Sequence, residues 1–391
     1  MPSASRSSLR RGLLRLAGRL LLPRRVQASS TSASPKKVLL LRPDHIGDVL
    51  LTSPAIALLR ASLPAAELTY VVGPWSADAA RYGPSVDSLR TLSYPGFTRR
   101  PNASLLAPYS QLLREALRLR REAYDVAIVF RPDHWWGALL ALAAAIPVRV
   151  GVATPETTPL LTHALPDSAG CHASERALDL ARLALSAFGA TTVSTPRAAS
   201  LVFRVPPDAI EQAKRSWQEH SLTGRTVVAL QPNAGMPLKS WPTDRWAELA
   251  DALTERDIAV VLVGAPDDAV VLRQIQSRAH QVITFTDQPL AISAAIYARC
   301  TVLVAPDSGA AHLAAACGTP TVRLYGPAPP AVFGPWPPGP DQRVLLSDAL
   351  PCISCGHLVD PPCGATRLPA CLLAVGVDDV LNAIETLLPQ G

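Results

Sequence analysis

From Lys37 onward, short continuous apolar runs alternate with amphipathic stretches at helical spacing. The run Lys37-Val38-Leu39-Leu40-Leu41, set between Pro35 and Pro43, has the continuity of a strand buried on both faces. The pattern then predicts a loop over 42–47, a helix from about 48 to 62, a strand over 67–72, a helix near 75–82 and a strand over 88–92. Helix 109–122, strand 125–130, helix 134–145, strand 148–152 and helix 173–188 complete the first half. The stretch 189–207, rich in threonine, serine and proline, reads as an inter-domain connection.

The second half repeats the scheme, with strands predicted over 226–230, 258–263, 282–285, 301–304 and 319–325. The helices between them span 243–256, 268–279, 289–299 and 309–317. A final amphipathic helix over 377–388 is placed to pack back across the first half. Strands alternating with helices imply right-handed crossovers and parallel, doubly wound sheets. The expected architecture is therefore α/β, with Rossmann-like domains over 37–205 and 206–391 and a ligand cleft between the carboxyl ends of their sheets.

The 391 residues suit two domains of ordinary size, and 48% apolar content leaves burial of a core in no doubt. The net charge of +6 changes the picture only once it is located. Residues 1–37 hold nine basic residues and no acidic one, so the rest, 28 basic against 31 acidic, is slightly acidic. A body of that sign argues against a nucleic-acid-binding protein. The leader, 1–36, interleaves leucine and arginine between Leu9 and Leu22 and continues as a Ser/Thr/Ala-rich stretch. It is either an amphipathic helix suited to an anionic membrane surface or a disordered basic tail. Its arginines break any apolar run long enough to span a bilayer or serve as an export signal, so the expected setting is cytoplasmic, with the cytoplasmic face of the inner membrane within reach.

Three motifs carry candidate chemistry. Gly47-Asp48-Val49 places a carboxylate at the start of a helix, where the dipole favours its charge and glycine permits a tight turn; a plain helix start is the other reading. The loop from Gln231 to Trp241 brings small residues, Ala234 and Gly235, ahead of Lys239, an arrangement suited to a diphosphate but lacking Walker spacing; a surface loop with a solvated lysine is the other reading. Asp307-Ser308-Gly309 leads from a buried strand into a helix of small residues, so its amides form an anion site, with Asp307 as a cap or a hydroxyl ligand. His312, one turn in, is either turned toward the cleft or packed in the core. Arg42-Pro43-Asp44-His45 and Arg131-Pro132-Asp133-His134 each follow a buried strand, which adds Arg42 and Arg131 as cleft candidates. Cys352, Cys355, Cys363 and Cys371 present four thiols, read either as a loosely spaced structural zinc site or as ordinary reduced thiols or a disulfide.

These motifs resemble those of the bacterial heptosyltransferases, glycosyltransferase family nine. The resemblance rests on Asp-Ser-Gly-x-x-His-Leu-Ala-Ala-Ala-x-Gly-Thr-Pro-Thr from Asp307 through Leu324-Tyr325-Gly326-Pro327, on Leu41 to Leu50, and on 237–242 with Trp246-Ala247-Glu248-Leu249. It spans roughly 37–388, with three blocks in order. It implies a GT-B fold, an acceptor in the first domain, a nucleotide sugar in the second (ADP-heptose), inverting transfer to a lipopolysaccharide core or related envelope glycan, and no obligatory metal. It also implies that Asp48 is the general base, that Lys239 contacts donor phosphate and that Asp307 to Gly309 form the donor-binding turn. Where some members carry a ribose-binding glutamate after the strand ending at Val263-Gly264, this chain has Pro266 followed by Asp267 and Asp268; a neighbouring aspartate is the substitute, and Asp267 joins the cleft candidates. Two rivals stand beside this reading: a sugar-nucleotide epimerase or hydrolase, which needs more cleft carboxylates and histidines, and a non-catalytic glycan-assembly protein, which has no use for Asp48 and Lys239.

Overall fold

The computed structural model describes residues 4–21, 36–97, 106–168, 170–190, 199–348, 350, 352 and 354–389. The chain divides into two compact units, Met1–Arg197 and Ala198–Gly391. The first contains α1 (Ala4–Leu21), β1 (Lys37–Arg42), α2 (Ile46–Ser62), β2 (Glu67–Val72), α3 (Ala77–Arg81), β3 (Ser88–Thr91), α4 (Ala107–Glu122), β4 (Val126–Val129), α5 (Trp135–Ala143), β5 (Val148–Val152), β6 (His163–Leu165) and α6 (Ala173–Ala187). The second contains α7 (Pro207–Glu219), β7 (Val227–Leu230), α8 (Thr243–Thr254), β8 (Ala259–Gly264), α9 (Ala269–Gln276), β9 (Val282–Thr286), α10 (Leu290–Tyr297), β10 (Val302–Pro306), α11 (Gly309–Ala316), β11 (Thr321–Leu324), α12 (Pro330–Phe333), β12 (Gln342–Leu345), α13 (Ala370–Leu373) and α14 (Val377–Glu385).

Each unit holds one six-stranded sheet, ordered β3-β2-β1-β4-β5-β6 in the first and β12-β11-β10-β7-β8-β9 in the second, with every pairing parallel. These are two copies of one doubly wound plan. The central strands are buried on both faces, which is why they read as unbroken apolar runs: Val38 to Leu41 are at most 1% exposed, and Val227 to Leu230 are all at 0%. In such a sheet the order reverses between the first and fourth strands, and the loops leaving those strands diverge to open a crevice. Here the reversals fall between β1 and β4 and between β7 and β10. The loops leaving these four strands begin at Pro43, Phe130, Gln231 and Asp307.

Several expectations change. Helix α7 occupies a stretch assigned no element from sequence; Ala209, Ala213 and Trp217 form its buried face, and the two prolines at its start read as the end of the supposed connection. Residues 191–198 of that connection lie outside the described residues. Strands β6 and β12 are edge strands of three and four residues, too short and too polar to register as runs. The final helix α14 packs on α8, β11 and β12 in its own unit, because Val380, Leu381, Ala383 and Ile384 complete the second core. The leader is helical over 4–21 and docks on the first unit. Leu14 is 4% exposed and joins its core, and Gly18 lies so close to Pro159 that an added Cβ would sit 2.3 Å from the carbonyl oxygen. Arg11 Nε donates to Glu156 Oε1 at 2.7 Å. The remainder of the leader, 1–3 and 22–35, lies outside the described residues.

Because Ile384 is fully buried in a core that α14 completes, Ile384→Ala is expected to destabilise the second unit by about 2–5 kcal/mol. Denaturant unfolding followed by tryptophan fluorescence measures this; an unchanged midpoint would show that α14 adds nothing to that core.

Candidate functional site

At the reversal in the first sheet, five charged side chains and a histidine converge. Arg42 closes β1, and its guanidinium is shared: Nε lies 2.9 Å from Asp44 Oδ2, and Nη2 donates to Asp48 Oδ1 at 3.0 Å. Arg131, in the loop after β4, donates to the other oxygen of Asp44 and, through Nε, to Asp133 Oδ1 at 2.6 Å. Asp44 therefore ties the β1 and β4 loops together while buried at 3% exposure. Its loop is pinned from behind by Trp75 Nε1 and Ser76 Oγ, which donate to its carbonyl oxygen at 2.9 and 3.0 Å.

The two carboxyls are pushed apart. Burial opposes ionisation of Asp44, but Arg42 and Arg131 more than offset it and hold the group below its usual value. Burial pushes Asp48 above its usual value; Arg42 opposes that and Asp44 adds to it. Asp48 keeps 30% of its side chain open, whereas Asp44 keeps 4%. Two neighbouring carboxyls separated in this way divide into a permanent anion and a proton acceptor. Asp48 lies in the first turn of α2, and Gly47, inside that turn, does not adopt a positive φ, so the expected tight turn is absent and the helix starts earlier, at Ile46.

His134 was not singled out as a site residue by the sequence. It is 4% exposed, and neither ring nitrogen has a hydrogen-bond partner among the described residues. Its ring lies against Tyr94, Phe97 and Trp136. With Phe97, Tyr109, Arg131, Trp135 and Trp136 it lines an open pocket of about 380 Å³.

At the reversal in the second sheet the chemistry is cationic. Lys239 ends a short 3-10 turn over Pro237–Lys239, and its Nζ lies 2.5 Å from Asp307 Oδ2. Both side chains are largely buried, at 17% and 7% exposure. Asp307 is therefore a partner for lysine and makes no side-chain cap on α11. Ser308 is the residue before α11, and its Oγ donates to Gln231 Oε1 at 3.2 Å, joining the β7 and β10 loops. The first-turn amides from Gly309 onward have no carbonyl ahead of them in the helix. Gly235 takes φ +65, which suits its loop to glycine. The Ala234 amide donates to Asn233 Oδ1 at 2.9 Å and is already engaged. Asn233 in turn donates to Asp268, whose other oxygen accepts from the Ala265 amide at 2.8 Å. Asp267 stands on the exposed side of the same turn.

His312 turns inward. It is 3% exposed, with Nδ1 3.2 Å from Arg323 Nη1, the packed arrangement of the two readings. Arg323 is fully buried on β11 and donates to Thr321, Gln342 and the Ala311 carbonyl. An arginine inside the run Thr321-Val322-Arg323-Leu324 was the available signal. Of the cysteines, Cys352 and Cys363 are exposed and Cys371 is buried in α13, and among the described residues no group of three or more His, Cys, Asp or Glu could hold a metal ion. Structural zinc is therefore not supported.

Burial pushes His134 down from 6.5 to about 4. As pH falls below 6.5 the unfolded chain takes up a proton that the folded ring refuses until about pH 4. Stability from this residue is thus level above 6.5 and declines across that window, by about 2 kcal/mol between pH 7 and pH 5. His134→Phe is expected to remove that part of the acid sensitivity in denaturant titrations; an unchanged pH slope would contradict the neutral, buried assignment.

Among known proteins, the chain is 25% identical over 324 residues to lipooligosaccharide heptosyltransferase 2 of Haemophilus ducreyi, covering 79% of this chain and 88% of that protein. It is 25% identical over 357 residues to lipopolysaccharide heptosyltransferase 3 of Escherichia coli K12, covering 88% and 96%. Its fold superposes on Escherichia coli ADP-heptose lipopolysaccharide heptosyltransferase II with a TM-score of 0.70 at 22% identity, over 90% of this chain and 98% of that one. Among the described residues no helix is long and apolar enough to cross a membrane. The pattern of glycosyltransferase family 9 (heptosyltransferase) matches residues 112–361, well over half of the chain, and the protein belongs to that family of glycosyltransferases.

Proposed function

We propose that this glycosyltransferase moves heptose from ADP-heptose to a lipopolysaccharide core or a closely related envelope glycan, with inversion at the anomeric carbon. The observation that carries the reading is the division of labour at the two sheet reversals: a carboxyl raised above its usual value in one unit, and a lysine with first-turn helix amides in the other. Asp48 accepts the proton of the acceptor hydroxyl as that oxygen attacks the anomeric carbon, and the bond to the nucleoside diphosphate breaks in the same displacement. The departing diphosphate gains negative charge, which Lys239 and the amides at Ser308 and Gly309 stabilise where it develops.

Asp307 holds the Lys239 ammonium in register before the donor arrives. Asp268 binds Asn233 and Ala265, and the exposed Asp267 beside it is the carboxylate assigned to the donor ribose. The aromatic pocket beside Arg131 suits an acceptor sugar, whose C–H faces pack on rings while its hydroxyls meet polar groups at the rim. All seven cysteines are free, in keeping with work in the reducing cytoplasm. The family match favours transfer over the epimerase, hydrolase and non-catalytic readings.

Asp48→Asn is expected to lower transfer on the order of a hundredfold or more while leaving donor affinity nearly intact. Lys239→Ala is expected to weaken both donor binding and turnover, with a loss of about 3 kcal/mol in transition-state stabilisation. Thermal-shift measurements with ADP-, UDP- and GDP-sugars, paired with a transfer assay, separate these effects. Strong protection by a UDP-sugar and none by ADP-heptose would overturn the donor, and an active Asp48→Asn would overturn the base.

A further inference from the structure

Of the twelve large apolar residues exposed among the described residues, five lie on only two helices, α1 and α4. On α4 they are Tyr109, Leu113 and Leu117, with Leu106 just before its first turn; at spacings of three and four residues they form one stripe. On α1 they are Leu13 and Leu16. Helix α5 packs against both α1 and α4, and Leu14 shares a core with Leu112, Ala116 and Leu119, so the two helices belong to one layer over the first sheet. The exposed leucines therefore belong to one face rather than to scattered sites.

That face is also basic. Arg15, Arg19, Arg114, Arg120 and Arg121 are exposed and make no ion pair among the described residues. The carboxylates beside them are already engaged: Glu122 with Arg90 at 2.7 Å, Glu115 with Arg118 at 4.0 Å, and Glu156 with Arg11 at 2.7 Å. What remains is leucine interleaved with unpaired arginine along helices lying flat on the fold. A groove for another protein's apolar helix would exclude this much charge from its floor. An anionic lipid surface satisfies both halves, because leucine reaches the acyl boundary while arginine stems extend to the headgroup phosphates.

We infer that the α1–α4 face of the first unit docks the protein on an anionic phospholipid surface. The docking needs neither donor nor acceptor, so it is separable from the transfer reaction. Full-length protein sedimented with phosphatidylglycerol–phosphatidylcholine vesicles is expected to partition onto them, and to leave them as salt is raised. Partitioning onto pure phosphatidylcholine is expected to be at least about tenfold weaker. The double variant Leu113→Gln, Leu117→Gln and the triple variant Arg114→Gln, Arg120→Gln, Arg121→Gln alter only exposed positions. Each is expected to reduce partitioning about tenfold while keeping its melting temperature and its activity on a water-soluble acceptor. Failure to bind phosphatidylglycerol vesicles overturns the inference, as does binding that both variants retain. A light-scattering mass of a dimer that the leucine variant alone dissolves, without vesicle binding, would reassign the face to self-association. Loss of transfer on the soluble acceptor in wild-type protein would count against the proposed reaction and leave the docking result standing.

Discussion

A single guanidinium divided between two carboxylates underlies the chemistry of the first unit. Arg42 stands at the end of a strand with no exposed neighbours, so its position is fixed by the sheet rather than by a loop. Asp44 takes one side of it and is completed by Arg131 from across the sheet reversal; Asp48 takes the other and keeps an opening to solvent. Had Arg42 served Asp48 alone, that carboxyl would be held low and would be a weak base. Sharing the cation with a more deeply buried anion lets burial raise Asp48 instead.

The second unit solves the opposite problem at the same address in the same topology. There the loops after β7 and β10 are joined by Ser308 and Gln231, and Asp307 fixes an ammonium rather than accepting a proton. One doubly wound plan, used twice, offers a crevice at each reversal, and the residues leaving the strands decide which charges it presents.

The central strands and most of the long helices were legible because burial on two faces and burial on one face write different periods into a sequence. The short edge strands were not, since three or four half-buried residues carry no period. Helix α7 was hidden by Pro206 and Pro207, which also suit a helix start. Asp48, Lys239, Asp307, Ser308 and Gly309 were visible as residues entering or leaving elements, where side chains are free for chemistry. The partnerships were not visible: the Arg42–Asp44–Arg131 bridge, the Asn233–Asp268 link and the pairing of His312 with Arg323 join residues from 2 to 87 positions apart, and only the fold brings them together. The repeated Arg-Pro-Asp-His was a trace of the first of these. It marked both loops of the bridge without showing that an aspartate from one copy binds an arginine from the other.

The pH dependence of kcat/KM for sugar transfer, compared between the wild-type enzyme and Asp44→Asn, probes the shared guanidinium most directly. The account predicts an acid limb in the wild type above the ordinary aspartate value of 3.8. It also predicts that removing the Asp44 charge moves that limb down, as Arg42 turns wholly to Asp48. An acid limb already at or below the ordinary value, and unmoved by the substitution, would contradict it.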